Sequence, residues 1–159
     1  MNLPLFCFGS LMDPDVLSLV LDSEPLPGRI RMEPAMISGF RKVRLPHETY
    51  PMLVPAAESG APGVLIHGLL REDLDRIVFF EGEEYEMAPC EVRLDIGDVV
   101  DALFFDEGIM PPPRTEQWDF ESWCRDHKDY LLRQSRVYMS WFGRMSAAEA
   151  DRYWQEYRE

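Results

Sequence analysis

Positive charge is scarce in this chain. Lys and Arg number 16 against 29 Asp and Glu, for a formal net charge of −13. A balance so acidic excludes tracking a phosphate backbone and adhesion to an anionic membrane surface. No nucleic-acid partner and no membrane partner is therefore expected, while small substrates are left open. Cysteine is nearly absent too. Cys7, Cys90 and Cys124 are the only 3, far apart, with no CxxC or Cys/His ligand spacing. A disulfide framework and a zinc site are excluded on that ground, and no metal is expected. Asp95, Asp98, Asp101, Asp106 and Glu107 lack EF-hand spacing and read as a solvated acidic face. No stretch approaches the ~18 consecutive apolar residues of a membrane span. The start, Met1-Asn2-Leu3-Pro4, lacks a basic segment, and Asp13 and Asp15 break the apolar run that follows, so it does not read as a signal peptide. The expectation is a reduced, cytoplasmic protein.

What the chain has in quantity is apolar surface. Hydrophobic residues make up 46 % of 159 positions, enough to bury one core in one domain. Residues 3–8 form a short apolar run that reads as a buried strand. It ends at Gly9-Ser10, and Asp13-Pro14 opens a helix with Asp13 as its cap. A turn between a strand and a helix leaves backbone N–H groups able to hold an anionic oxygen. Residues 29–38 and 40–45 read as strands joined at Gly39, residues 46–51 as a loop, and residues 58–62 as turn chemistry. Residues 63–70 are apolar on both faces, which suits a central strand or a small barrel. Gly68 there suggests a bend or a close backbone approach. Residues 85–95 and 99–105 are further strands, with Pro89 marking an edge or a bulge.

Beyond Met110-Pro111-Pro112-Pro113 the periodicity turns helical. One long helix is predicted from a cap at Asp119 to Gly143, carrying an aromatic stripe that reads as a docking face. Ser146 to Glu149 has the capping-box pattern of a last helix. Residues 1–110 are expected to form the core and residues 111–159 C-terminal helices packed on it. Strands and helices do not alternate regularly, so the class is α+β.

Between these strands lies a short helix with a misfit. Leu74, Ile77 and Val78 recur at helical spacing, and the next place on that face is Glu81, about 20° from Leu74 on the helical wheel. Gly82 then stops the helix. Burial, the helix dipole and Glu83, Glu84 and Glu86 all disfavour the charged form of Glu81. Such a group is poor for stability and suited to a general base. A surface helix ending in an acidic turn fits the same pattern, so the periodicity leaves both readings open. A Cys7–His47 or Cys7–His67 pair would be a different chemistry, but Cys7 in an apolar strand reads as inert core and His67 as a packed, hydrogen-bonded residue.

Several motifs in order carry a resemblance. Phe8-Gly9-Ser10-Leu11-Met12 follows the first strand, then Gly39-Phe40-Arg41, Tyr50-Pro51-Met52-Leu53-Val54-Pro55, Gly68-Leu69-Leu70, Leu74-Asp75, and Phe80-Glu81-Gly82 with Tyr85. Across residues 3 to 105 this order resembles the γ-glutamylcyclotransferase-like family, in its avirulence-induced-gene-like branch. Two positions depart from that pattern: Phe8 stands where the family loop has Tyr, and Met87 where it often has Arg. The resemblance implies a small mixed β-barrel flanked by helices. It implies that Phe8, Gly9, Ser10 and Leu11 form the substrate loop and that Glu81 is the catalytic base. Tyr50 and Tyr85 are candidate pocket walls. The implied partner is a small γ-glutamyl amine, amino acid or peptide, cyclised to 5-oxoproline with no cofactor. Removal of a γ-glutamyl protecting group from a biosynthetic intermediate, or a non-catalytic binding member of the same fold, are the alternatives.

Overall fold

The computed structural model describes residues 3–44, 51–82, 85–106 and 116–158. Tyr50, His47, Glu83, Glu84, Glu107 and the Met110–Pro113 break, each singled out above, lie outside the described residues. The described elements are β1 (Leu5–Cys7), α1 (Pro14–Val20), β2 (Arg31–Arg44), β3 (Pro51–His67), α2 (Arg71–Glu81), β4 (Glu86–Leu94), β5 (Val99–Asp106), β6 (Glu116–Gln117), α3 (Phe120–Asp126), α4 (Lys128–Met139) and α5 (Ala147–Arg158).

Five strands close on themselves. β1 runs antiparallel to β3 (Leu5 opposite Ile66) and parallel to β5 (Leu5 opposite Leu103). β5 pairs with β4, β4 with β2, and β2 with β3, all antiparallel, which completes a mixed barrel. β6 adds to the far end of β2. Alternation along each strand divides most apolar residues between two main cores, with Val43, Met52 and Val54 as a small third cluster. Phe6, Ala35, Ile37, Ala61, Leu65, Val92, Ala102 and Phe104, drawn from all five strands, pack together. Leu5, Cys7, Ile66 and Phe105 face the other way, against α1, α2 and the C-terminal helices. β1 is buried throughout for this reason. Closure leaves no space at Gly63, where a Cβ would collide with the Cys7 carbonyl. Gly68 has φ +84, and a Cβ there would collide with the Arg29 backbone, the close approach expected from its place after an apolar strand.

Two turn-like signals are something else. Residues 58–62 do not end a strand. They belong to β3, a 17-residue strand beside β2 whose pairing steps from Pro55 to Gly60. The register shifts between Ser38 and Phe40, with Gly39 at φ +83 and Glu58 at φ 64. Glycine and positive φ here make a bulge that bends both strands. Pro89 pairs with β5 alone, since β2 reaches only the stretch from Val92 to Leu94 of β4, so proline costs no second ladder bond. Among the described residues no helix is long and apolar enough to cross a membrane.

The predicted long C-terminal helix is two. It breaks at His127, which has φ −129 and closes α3 before α4 begins. α4 then ends at Met139, short of Gly143, which sits in the following turn at φ +81. The predicted caps are present: Asp119 accepts from the Ser122 N–H, and Ser146 and Glu149 form the capping box. Asp13 caps α1 and also takes Lys128 Nζ at 2.9 Å, which anchors the start of α4 beside α1.

Lys42, on β2, is buried with its ammonium 5.0 Å from the Trp118 ring centre. Burial pulls its pKa down to about 8, and the Asp119 charge offsets only part of that shift. Below that value the folded protein holds a buried cation. Between about 8 and 10.5 the unfolded chain binds more protons than the folded one, so stability rises with pH through this window. Lys42→Met is expected to raise stability at pH 7 by about 1–3 kcal/mol, and that difference should shrink between pH 8 and 10.5. Urea titration of both proteins across that range checks it.

Candidate active site

α2 is held at its start and middle by contacts the sequence pattern did not point to. Asp73 is buried, accepts the Leu70 N–H at 2.8 Å, and receives Arg29 Nη2 on both oxygens at 3.1 and 2.8 Å. Arg76 Nε donates to the Val20 carbonyl at 2.6 Å, and its guanidinium lies 4.6 Å from the Phe142 ring centre. The buried face of α2 is Asp73, Ile77 and Phe79, while Val78 is 40 % exposed. The stripe is therefore rotated from the one read off the periodicity, because a paired Asp occupies a core place. Glu81 still follows Ile77 by four residues and remains partly buried on that side.

The helix ends at Glu81. Gly82 has φ +91 and ψ 174, a conformation reserved for glycine, and its N–H bonds the Val78 carbonyl at 3.1 Å. This sharp exit leaves the Glu81 carboxylate at a cavity wall. The opposing wall comes from the end of β1. There the chain turns through Gly9 and a short 3-10 helix, Ser10–Met12, closed by Met12 N–H to Gly9 C=O at 2.9 Å and Asp13 N–H to Ser10 C=O at 3.1 Å. The N–H groups of Ser10 and Leu11 precede the first bond of that turn. Leu11 is buried and fixes the turn to the core, and Pro51 packs where a Cβ on Gly9 would sit.

The cavity measures about 500 Å³, within the range of small-molecule sites. Phe8, Gly9, Ser10, Leu11, Glu81 and Tyr85 all line it, so the structure brings together every described residue of the sequence-based site. Tyr85 stands edge-on to Phe105, ring centres 6.4 Å apart. Trp123 also lines the cavity, whereas Trp118 and Met87 do not.

The third wall comes from the C-terminal helices. α4 supplies Leu131, Gln134, Ser135 and Tyr138, and α5 supplies Asp151 and Trp154. The aromatic stripe was the visible signal. It docks on the core, and part of it faces the cavity. Nothing in the spacing marked Asp151. Its carboxylate lies 3.2 Å from the place a Cβ on Gly82 would occupy, and its Oδ1 is 2.7 Å from the Tyr138 hydroxyl.

Cys7 also lines the cavity, but burial pushes its thiol well up and the Glu81 charge adds to the shift. It is held as a thiol, not a nucleophilic thiolate. His67 is engaged with Glu33 at 3.0 Å. A second hollow of about 590 Å³ lies between α1, α2 and α4. Two of its arginines are engaged, Arg76 with Val20 and Arg136 with Glu24 at 3.4 Å.

Residues 5–125 match the family model described as gamma-glutamyl cyclotransferase, AIG2-like. The chain is 30 % identical over 137 residues to AIG2-like protein A of Arabidopsis thaliana, covering 85 % of this chain and 80 % of that protein. A solution structure of an Arabidopsis thaliana protein superposes with a TM-score of 0.62 at 26 % identity, over 82 % of this chain and 85 % of the other. A structure described as a gamma-glutamyl cyclotransferase gives 0.53 at 10 % identity, over 84 % and 99 %, a likeness of fold alone.

Gly82→Ala is expected to cost about 1–3 kcal/mol, from the strained backbone and the contact with Asp151. Gly28→Ala, with open space around it and no positive φ, should stay within about 0.5 kcal/mol of the parent. Urea midpoints of the two variants check the contrast.

Proposed function

The chain belongs to the AIG2-like gamma-glutamyl cyclotransferase family, and from that premise we propose that it releases 5-oxoproline from a γ-glutamyl amine, amino acid or peptide, with Glu81 as general base. The observation that carries this reading is the meeting of Glu81 and the Phe8–Leu11 turn in one cavity of small-molecule size.

The chemistry asks little of the protein beyond folding the substrate and moving a proton. Glu81 takes a proton from the α-ammonium of the γ-glutamyl group. The freed amine attacks the γ-carbonyl carbon, a C–N bond forms, and a five-membered ring closes. That proton passes to the departing nitrogen as the original γ-amide C–N bond breaks, and the ring nitrogen gives its second proton to solvent as it becomes the lactam N–H. The products are 5-oxoproline and a free amine, and no water is consumed. Because nucleophile and electrophile share one molecule, much of the entropic cost is already met. The N–H groups of Ser10 and Leu11 would hold the substrate carboxylate or the oxyanion of the tetrahedral intermediate. Tyr85 and Phe8 would pack against the glutamyl chain.

A second reading, a binding member of the fold without turnover, draws on Phe8, whose ring brings no hydroxyl to the cavity.

Incubation with a panel of γ-glutamyl substrates, with 5-oxoproline measured by mass spectrometry, separates the two. Glu81→Gln is expected to lower turnover by about 10²–10⁴-fold. Unchanged turnover in that variant sinks Glu81 as the base. A parent protein that turns over nothing in the panel transfers the weight to the binding reading.

A further inference from the structure

We infer that Lys42 is a positioning residue for the reaction: its buried ammonium grips Met12 behind the Gly9–Met12 turn and gives that turn a positive charge, which favours the anionic group held on its cavity side. The inference rests on the γ-glutamyl reading above, since it takes this turn as the part that holds substrate.

Three observations support it. The first is a buried cation with no carboxylate on it. Lys42 is 6 % exposed, and among the described residues its ammonium meets only Met12 Sδ at 3.6 Å and the face of Trp118. Lysine is rarely buried unpaired, and a thioether is a weak acceptor, so the charge stays largely uncompensated. The carboxylates around it are committed elsewhere. Asp119 accepts from the N–H and hydroxyl of Ser122, while Asp13 holds Lys128 and the N–H groups of Asp15 and Val16. Arg41 and Arg44 flank Lys42 on β2, both exposed. The second observation is where the contact falls. The Met12 N–H closes the turn onto the Gly9 carbonyl, and its side chain is the group that Lys42 holds. Pro51, paired with Arg44 at the same end of the β2–β3 ladder, packs on Gly9. That end of the ladder therefore braces the turn at its first and last residues. A cation behind the turn adds to the field of the Ser10 and Leu11 N–H groups in front of it. The third is the stability given up. An ammonium here destabilises the fold at pH 7, and a local rule broken beside a site is expected where the charge serves that site.

The test compares the parent with Lys42→Met on a γ-glutamyl substrate that the parent turns over. At pH 7 kcat/KM is expected to fall about tenfold in the variant, although its urea midpoint rises. The parent-to-variant ratio cancels the titration of Glu81 and of the substrate amine, so its pH dependence reports Lys42. The folded protein holds the charge below about 8 and loses it above, so the ratio should stay high below that value and decline towards one above it. Lys42→Arg, charged throughout, should keep more activity than Lys42→Met. Equal kcat/KM in parent and Lys42→Met, a ratio that does not change with pH, or a loss accompanied by a lowered urea midpoint overturns the inference. Where no γ-glutamyl substrate turns over, calorimetric titration at pH 7 with 5-oxoproline, an anion, and 2-pyrrolidinone, the same ring without the carboxylate, decides instead. Binding of 5-oxoproline about tenfold tighter in the parent than in Lys42→Met, with no such difference for 2-pyrrolidinone, upholds the role even if the reaction fails. Equal binding of 5-oxoproline by the two proteins, or none by either, overturns it.

Discussion

The hydroxyl of Tyr138 lies 2.7 Å from Asp151 Oδ1 and 3.1 Å from the Phe79 carbonyl, and this one group joins α2, α4 and α5 behind the cavity. Its ring packs on Phe79 at 5.1 Å and Trp141 at 5.8 Å. Phe79 sits two residues before Glu81, so the contact that seats the C-terminal helices also sets the end of α2. A buried hydroxyl left without its acceptors would cost more than its bond contributes, on the order of 1–3 kcal/mol. The helices are therefore held to the barrel by a polar tie inside an aromatic cluster, and the cavity is the space that remains beside it.

The barrel makes that space possible by being narrow. β1 is three residues long and buried on both faces, with Gly63 across from it so that backbone can approach backbone. Phe6 fills the interior while Leu5 and Cys7 face the helices. The chain leaves β1 directly into the Gly9–Leu11 turn, which carries the rigidity of a central strand to the cavity edge. On the opposite wall, Gly82 ends α2 abruptly enough to keep Glu81 at the cavity instead of inside a continuing helix. Rigid elements thus hold both halves of the site, and neither half depends on a long loop.

Much of this arrangement was legible in the order of residues. The strand-turn-helix at the start, the caps at Asp13, Asp119 and Ser146, the close approach at Gly68 and the stop at Gly82 are local decisions, made by φ and by hydrogen bonds within a few residues. Where reading failed, a distant partner had overruled the local signal. Residues 58–62 have turn composition, yet β2 pairs alongside and converts them into a bulged strand. The stripe on α2 was placed one step off, because Arg29, 44 residues away, neutralises Asp73 and lets it occupy a core position. His127 interrupts a helix whose apolar spacing runs on past it.

By itself the sequence determined the α+β class, the barrel strands, the Phe8–Leu11 turn and the misplaced Glu81, since each is written in periodicity, glycine placement or motif order. Tertiary structure alone decided that Glu81 and that turn share a cavity, and that Tyr138, Trp154 and Asp151 complete it. The physical reason is range. Period and capping are properties of neighbours along the chain, whereas a cavity is bounded by side chains from β1, α2, α3, α4 and α5 that meet only when the barrel closes and the helices settle on it.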